Sequence, residues 1–218
     1  MSMHDVRLLF KKQGRAKYIS HLDMNRLLPR VLKRSKLPVW FTEGFNPHAY
    51  LTFALPLSLG YTSEYDIVDF RITDDDMSNE AVMQALKSAL PDSIVPIEVI
   101  NPVMKTKEIR FAQFFVDVEC DEDNYNLLMR EINAESIIVT KKTKKGGEKQ
   151  FDVTQFINKR DIVKTDFGAQ VELILTAGNE DNINPQIIFD AVLQKGIVFD
   201  IKSVVRGNIF DKNMTLFR

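Results

Sequence analysis

Residues 5–12 set Val6, Leu8 and Phe10 against Arg7, Leu9 and Lys11, and a period of two predicts a strand with one face on a core. Gly14 ends it. Ser20 then offers an N-cap hydroxyl with Asp23 three residues on, close to the S-x-x-E capping box, which predicts a helix over 21–35. Leu22, Leu27, Leu28, Val31 and Leu32 supply its buried stripe. Pro29 within it predicts a kink, because proline removes one backbone donor and crowds the preceding turn. Extended segments follow at 39–42 and 49–55, on either side of a loop from Gly44 to His48, and then a strand over 63–73. The acidic run Asp74-Asp75-Asp76 precedes a helix over 79–90, whose N-terminus favours negative charge. Pro91 stops that helix, and a strand over 94–100 follows.

From Ile109 the pattern restarts. A strand over 109–120 leads to a helix carrying Tyr125, Leu128, Met129 and Ile132 at helical spacing. A hairpin pairs 137–140 with 151–153 around Lys144-Lys145-Gly146-Gly147, and a strand runs over 170–176. Asn184-Pro185 opens a helix that ends at Gly196, and a strand over 199–206 closes the set. Strand, helix, strand, strand, helix, strand is the split βαβ order. The expected class is therefore α+β, with two ferredoxin-like domains at 1–104 and 105–218, the second elaborated with an extra hairpin.

A chain of 218 residues, 44% hydrophobic and 27% charged, has the material for two small globular cores. No stretch approaches the ~18 apolar residues of a membrane span, and the first residues lack a signal-peptide core. The expectation is a cytoplasmic protein with no membrane partner. Cys120 is the only cysteine, which excludes an internal disulfide and a cysteine-ligated metal or cluster built by this chain alone. No H-x-x-x-H or H-x-E spacing pre-positions a metal, so neither metal nor cofactor is expected.

The net charge of −1 conceals an asymmetry. Residues 1–60 hold ten Lys/Arg against three Asp/Glu, and the remainder nineteen against twenty-seven. A basic segment in a neutral chain points to a localised partner for negative charge, phosphate or RNA. Lys11, Lys12, Arg15 and Lys17 surround the Gly14 turn, and helical spacing gathers Arg26, Arg30, Lys33 and Arg34 on one side. The helix N-terminus between the two groups is a candidate phosphate site. A basic solvated face is the plainer alternative.

The loop Glu43-Gly44-Phe45-Asn46-Pro47-His48 reads as a rigid turn, and Trp40, Phe45 and Tyr50 around it serve either as core or as platforms for bases. His21 and His48, with Asp23, are candidates for general acid–base work, although spacing does not show that they meet. The tip Lys141-Lys142-Thr143-Lys144-Lys145-Gly146-Gly147 is a second candidate for phosphate contact, or a solubilised turn.

Tyr18-Ile19-Ser20-His21-Leu22-Asp23, the basic helix ending Lys36-Leu37-Pro38, Glu43-Gly44-Phe45-Asn46-Pro47-His48, and Phe53-Ala54-Leu55-Pro56-Leu57-Ser58-Leu59-Gly60 together resemble the bacterial radical SAM-linked protein family, a domain of unknown function. The resemblance runs from residue 7 to about residue 72. It implies association with B12-binding radical SAM enzymes, by fusion or by a neighbouring gene, and supplies no catalytic residues. Pro29, Trp40 and Thr42 depart from the usual pattern. Lacking C-x-x-x-C-x-x-C, the chain is not itself the radical SAM enzyme. The expected function is an RNA-binding accessory module acting with a radical SAM partner in RNA modification or processing. The alternatives are a metal-independent endoribonuclease using His21 or His48, and a non-catalytic protein-interaction scaffold.

Overall fold

The computed structural model describes residues 3–142 and 146–218. The fold is mixed α+β with antiparallel sheets, and the chain forms two compact units, Met1–Thr106 with Phe217–Arg218, and Lys107–Leu216. No helix among the described residues is long and apolar enough to cross a membrane.

The first unit contains β1 (His4–Lys12), α1 (His21–Arg34), β2 (Leu51–Phe53), β3 (Thr62–Ile72), α2 (Asn79–Ala89) and β4 (Ile94–Ile100). Its strands lie in the order β4-β1-β3-β2, with every neighbour antiparallel. Register places Val6 opposite Phe70, and Leu8 opposite both Val68 and Val99, so the alternation in β1 builds one apolar face. Met24, Leu28, Val31 and Leu32 of α1 and Val82, Leu86 and Ala89 of α2 join that face in one core.

Two expectations change here. Leu22 is 71% exposed, because the stripe follows Met24, Leu28, Val31 and Leu32 at spacings of four, seven and eight, and Leu22 falls off that phase. Pro29 stands inside α1, where the sequence placed it. Ser78, rather than the Asp74–Asp76 run, caps α2, by accepting from the Ala81 N–H.

The second face of this sheet is also buried. Leu9, Ile67 and Tyr65 are covered, and Arg7 is completely enclosed. Its guanidinium donates to both Asp69 carboxylate oxygens at 2.7 Å and to the Met104 carbonyl at 3.0 Å, and its Cζ lies 4.6 Å from the Phe217 ring centre. The Tyr65 hydroxyl donates to the Phe217 carbonyl at 2.9 Å.

The second unit contains β5 (Phe111–Glu119), α3 (Glu122–Ile132), β6 (Ile138–Lys142), β7 (Glu148–Asp152), β8 (Ile157–Thr165), β9 (Gly168–Thr176), α4 (Gln186–Leu193) and β10 (Asp200–Phe210). Its sheet runs β10-β5-β9-β8, again antiparallel, and β6 and β7 form a separate hairpin. The sequence pattern misses β8. That strand is mostly solvent-facing and carries Lys159, Arg160, Asp161 and Lys164, so its period of two is weak. Gly168, at φ +143°, is required where β8 turns into β9, because a Cβ there would lie 2.4 Å from the Val118 carbonyl oxygen. Of the lysine-rich tip, Thr143, Lys144 and Lys145 lie outside the described residues.

Candidate nucleic-acid interface

The core phase of α1 decides which of its cations reach solvent. With Met24, Leu28, Val31 and Leu32 turned inward, Arg26, Arg30 and Lys33 fall on the exposed side at spacings of four and three. Among the described residues, Arg15, Arg30 and Lys33 have no acidic partner. Lys17 lies 5.2 Å from the Tyr18 ring centre. Arg26 reaches Asp23 at 3.3 Å.

Three expected phosphate contacts are engaged elsewhere. Lys12 is 2% exposed, and its ammonium donates to the Ile19 carbonyl at 2.8 Å, where it ties the turn after β1 to the strand. Lys11 pairs with Glu64 across β1 and β3 at 2.5 Å. Arg34 donates to the Ala89 carbonyl at the end of α2. The α1 N-terminus is occupied as well, because the Ser20 hydroxyl accepts from the Asp23 N–H at 3.2 Å and donates to the Asp23 carboxylate at 2.7 Å. The Ser20 hydrogen bond, with Arg26 alongside, lowers the pKa of Asp23 below the ordinary carboxylate value. An ionised carboxylate at that end disfavours a phosphate there, so the cationic surface is the flank of the helix.

The two histidines have separate partners. The Asn25 amide nitrogen lies 2.9 Å from the His21 carbonyl and 3.0 Å from His21 Nε2. The carbonyl fixes the amide as donor, so Nε2 accepts and the neutral ring carries its proton on Nδ1. The His21 ring stands edge-on to Phe53, with centroids 5.1 Å apart. It lines a cavity with room for about one water (about 10 Å³), together with Lys12, Met24, Phe53, Leu55, Leu57 and Asp66.

His48 is held within its own loop. Its Nδ1 lies 3.1 Å from the Asn46 carbonyl, an obligate acceptor, so Nδ1 carries the proton and Nε2 is the outward nitrogen. Among the described residues no three His, Cys, Asp or Glu side chains gather as a metal site would require. Burial, and then Asp121 and Glu122 nearby, push the Cys120 thiol pKa upward, away from nucleophilic reactivity.

The loop between the histidine segments is the tip of a hairpin at the sheet edge. The Trp40 N–H donates to the Arg71 carbonyl, Tyr50 N–H to the Trp40 carbonyl, and Thr42 N–H to the His48 carbonyl. The His48 N–H donates to the Thr42 hydroxyl at 3.2 Å, and Gly44 adopts φ +125°, which a side chain would resist. At the base, the Arg71 guanidinium lies 5.4 Å from the Trp40 ring centre and 4.7 Å from that of Tyr50, while Asp5 holds it at 2.7 Å. Arg71 escapes sequence reading because only strand pairing brings it beside Trp40. At the tip, Phe45 is fully exposed.

Residues 6–185 match the family described as an uncharacterized protein conserved in bacteria (DUF2344). The chain belongs to this family. The match spans the whole DUF2344 hairpin and α1 region and continues through β9. No curated protein matches the chain. Among solved structures, a crystal structure of a Cbf5-Nop10-Gar1 complex is similar at a TM-score of 0.49 and 8% identity, over 93% of this DUF2344 chain and 48% of that one. The chain thus spans about half the length of that structure, and a likeness so distant carries no functional weight.

Proposed function

We propose that this DUF2344 protein is an RNA-binding accessory module, which contacts RNA through phosphates along the exposed flank of α1 and through the Gly44–His48 loop of the same unit. The observation that carries the reading is the row Arg26, Arg30 and Lys33, with Arg15 and Lys17 preceding it, in which Arg15, Arg30 and Lys33 have no acidic partner among the described residues. Like charges at helical spacings of three and four repel by about 0.2–0.5 kcal/mol per pair, and a polyanion relieves that repulsion. Each unit is read as a ferredoxin-like domain, supported by the order of its strands. A radical SAM enzyme as the partner rests on the sequence resemblance alone. The cleavage alternative has less support, because the hydrogen bonds of the His21 and His48 rings each stay within their own segment and do not join the two.

Titrating a single-stranded RNA against salt tests the reading. Replacing Arg26 and Arg30 together by alanine removes two phosphate contacts. It is expected to weaken binding and to reduce the magnitude of the slope of log K against log salt by roughly 1.4. An affinity and a slope both unchanged from wild type would sink the proposal.

A further inference from the structure

Phe45 is 106% exposed, so its ring touches nothing that stabilises the fold, yet the loop that carries it is fixed. Gly44 at φ +125° permits the turn, the Thr42 N–H and His48 carbonyl close its neck, and the His48 ring donates to the Asn46 carbonyl within it. A mobile tip would lose conformational entropy on binding, whereas this one has already lost it. A rigid loop that offers one bare aromatic ring is shaped for a partner.

The side chains that share its loop indicate the partner's chemistry. The Asn46 side-chain amide has no partner among the described residues, and His48 Nε2 is the ring nitrogen not committed to the loop. An amide, with one donor end and one acceptor end, together with an imidazole nitrogen, matches the polar edge of a heterocycle whose face lies on the phenyl ring. A pocket on a partner protein that received Phe45 would instead bury these polar groups without need. The base of the same hairpin carries a second stack, Trp40, Arg71 and Tyr50, in which a guanidinium lies against two rings, an arrangement on which bases also stack.

We infer that the hairpin tip takes an unpaired nucleobase, stacked on Phe45 with its edge against Asn46 and His48. The RNA bound by this protein is therefore single-stranded, or looped, at the point of contact, and not a continuous duplex. This rests on the RNA reading of α1 and adds to it the class of RNA. Phosphates on α1 do not distinguish a duplex from a single strand, and the ring does, because a base inside a duplex has both faces covered by its stacked neighbours.

The test uses the full chain, a short oligouridylate and a blunt RNA duplex of equal length. Trp40 is the only tryptophan, so its emission reports directly on the hairpin. The wild type is expected to bind the oligouridylate more tightly than the duplex, with a change in Trp40 emission. Phe45→Ala and Phe45→Leu are expected to lose about tenfold in affinity for the single strand while keeping duplex affinity and the salt slope. Because Phe45 packs against nothing, both variants should fold, which an unchanged melting temperature verifies. Equal losses on the two RNAs, or no loss on either, would overturn the inference while leaving the α1 surface standing. Loss of a protein partner on Phe45→Ala with RNA affinity intact would overturn it in favour of protein docking. No salt-dependent binding to either RNA would overturn both readings together.

Discussion

Arg7 shows what a single buried charge demands. The alternation in β1 assigns it to a solvent side, yet it is completely enclosed, with Asp69 accepting two of its hydrogen bonds and Nη1 left without a partner. Removing Asp69 would leave a guanidinium buried beside Phe217 with only the Met104 carbonyl, and such breakage typically costs about 3–5 kcal/mol. Asp69→Ala is therefore expected to lower the urea midpoint markedly, with a melting temperature roughly 10 °C lower. Arg7→Met combined with Asp69→Leu should be less damaging than Asp69→Ala alone, because the pair is incompletely satisfied and apolar replacement removes the desolvation penalty. A double variant as unstable as the single one would show that the pair contributes more than its geometry implies.

At the scale of elements, α1 couples the core to the proposed interface. The turn of helix that buries Leu28 and Val31 also sets Arg30 and Lys33 outward, and Pro29 sits in the middle of it. Proline withholds the N–H that the Asn25 carbonyl would otherwise receive, and an interior proline is disfavoured by about 3 kcal/mol relative to alanine. Because the helix already runs through position 29, Pro29→Ala is expected to stabilise the protein by roughly 1–3 kcal/mol, part of the gain being offset by the freer unfolded chain. A thermal melt showing a fall instead would mean that the proline sets a bend on which the packing depends.

Elements with strong periodicity and a clear cap were readable from sequence: β1 from its alternation, and α1 from Ser20 and Asp23. Those that tertiary pairing creates were not. β8 is a charged edge strand, and Leu22 resembles core by composition while lying out of phase. The same division holds for the interface. The basic composition of residues 1–60 was visible, whereas the engagement of Lys11, Lys12 and Arg34 and the placement of Arg71 required the pairing of strands and helices.

For the whole molecule, the path of the chain matters most. It leaves the first unit at Thr106, builds the second from Lys107 to Leu216, and returns at Phe217 and Arg218. Phe217 is completely buried over Arg7, its carbonyl accepts from Tyr65, and Arg218 pairs with Glu98 of β4. The first unit thus depends on two residues separated from the rest of it by the entire second unit. Phe217→Ala deletes a fully enclosed ring, a change that costs about 3–5 kcal/mol, and the loss falls on the sheet it covers. Amide hydrogen exchange is expected to show lost protection in β1 and β3 with β5 and β9 little changed. Loss spread evenly over both units would instead mean that they unfold together. Because α1 shares its core with Val6 and Leu8 of β1, the opened population cannot hold Arg26, Arg30 and Lys33 in register. RNA, by binding the closed form, should restore protection in β1 and β3 of the Phe217→Ala variant in proportion to its concentration.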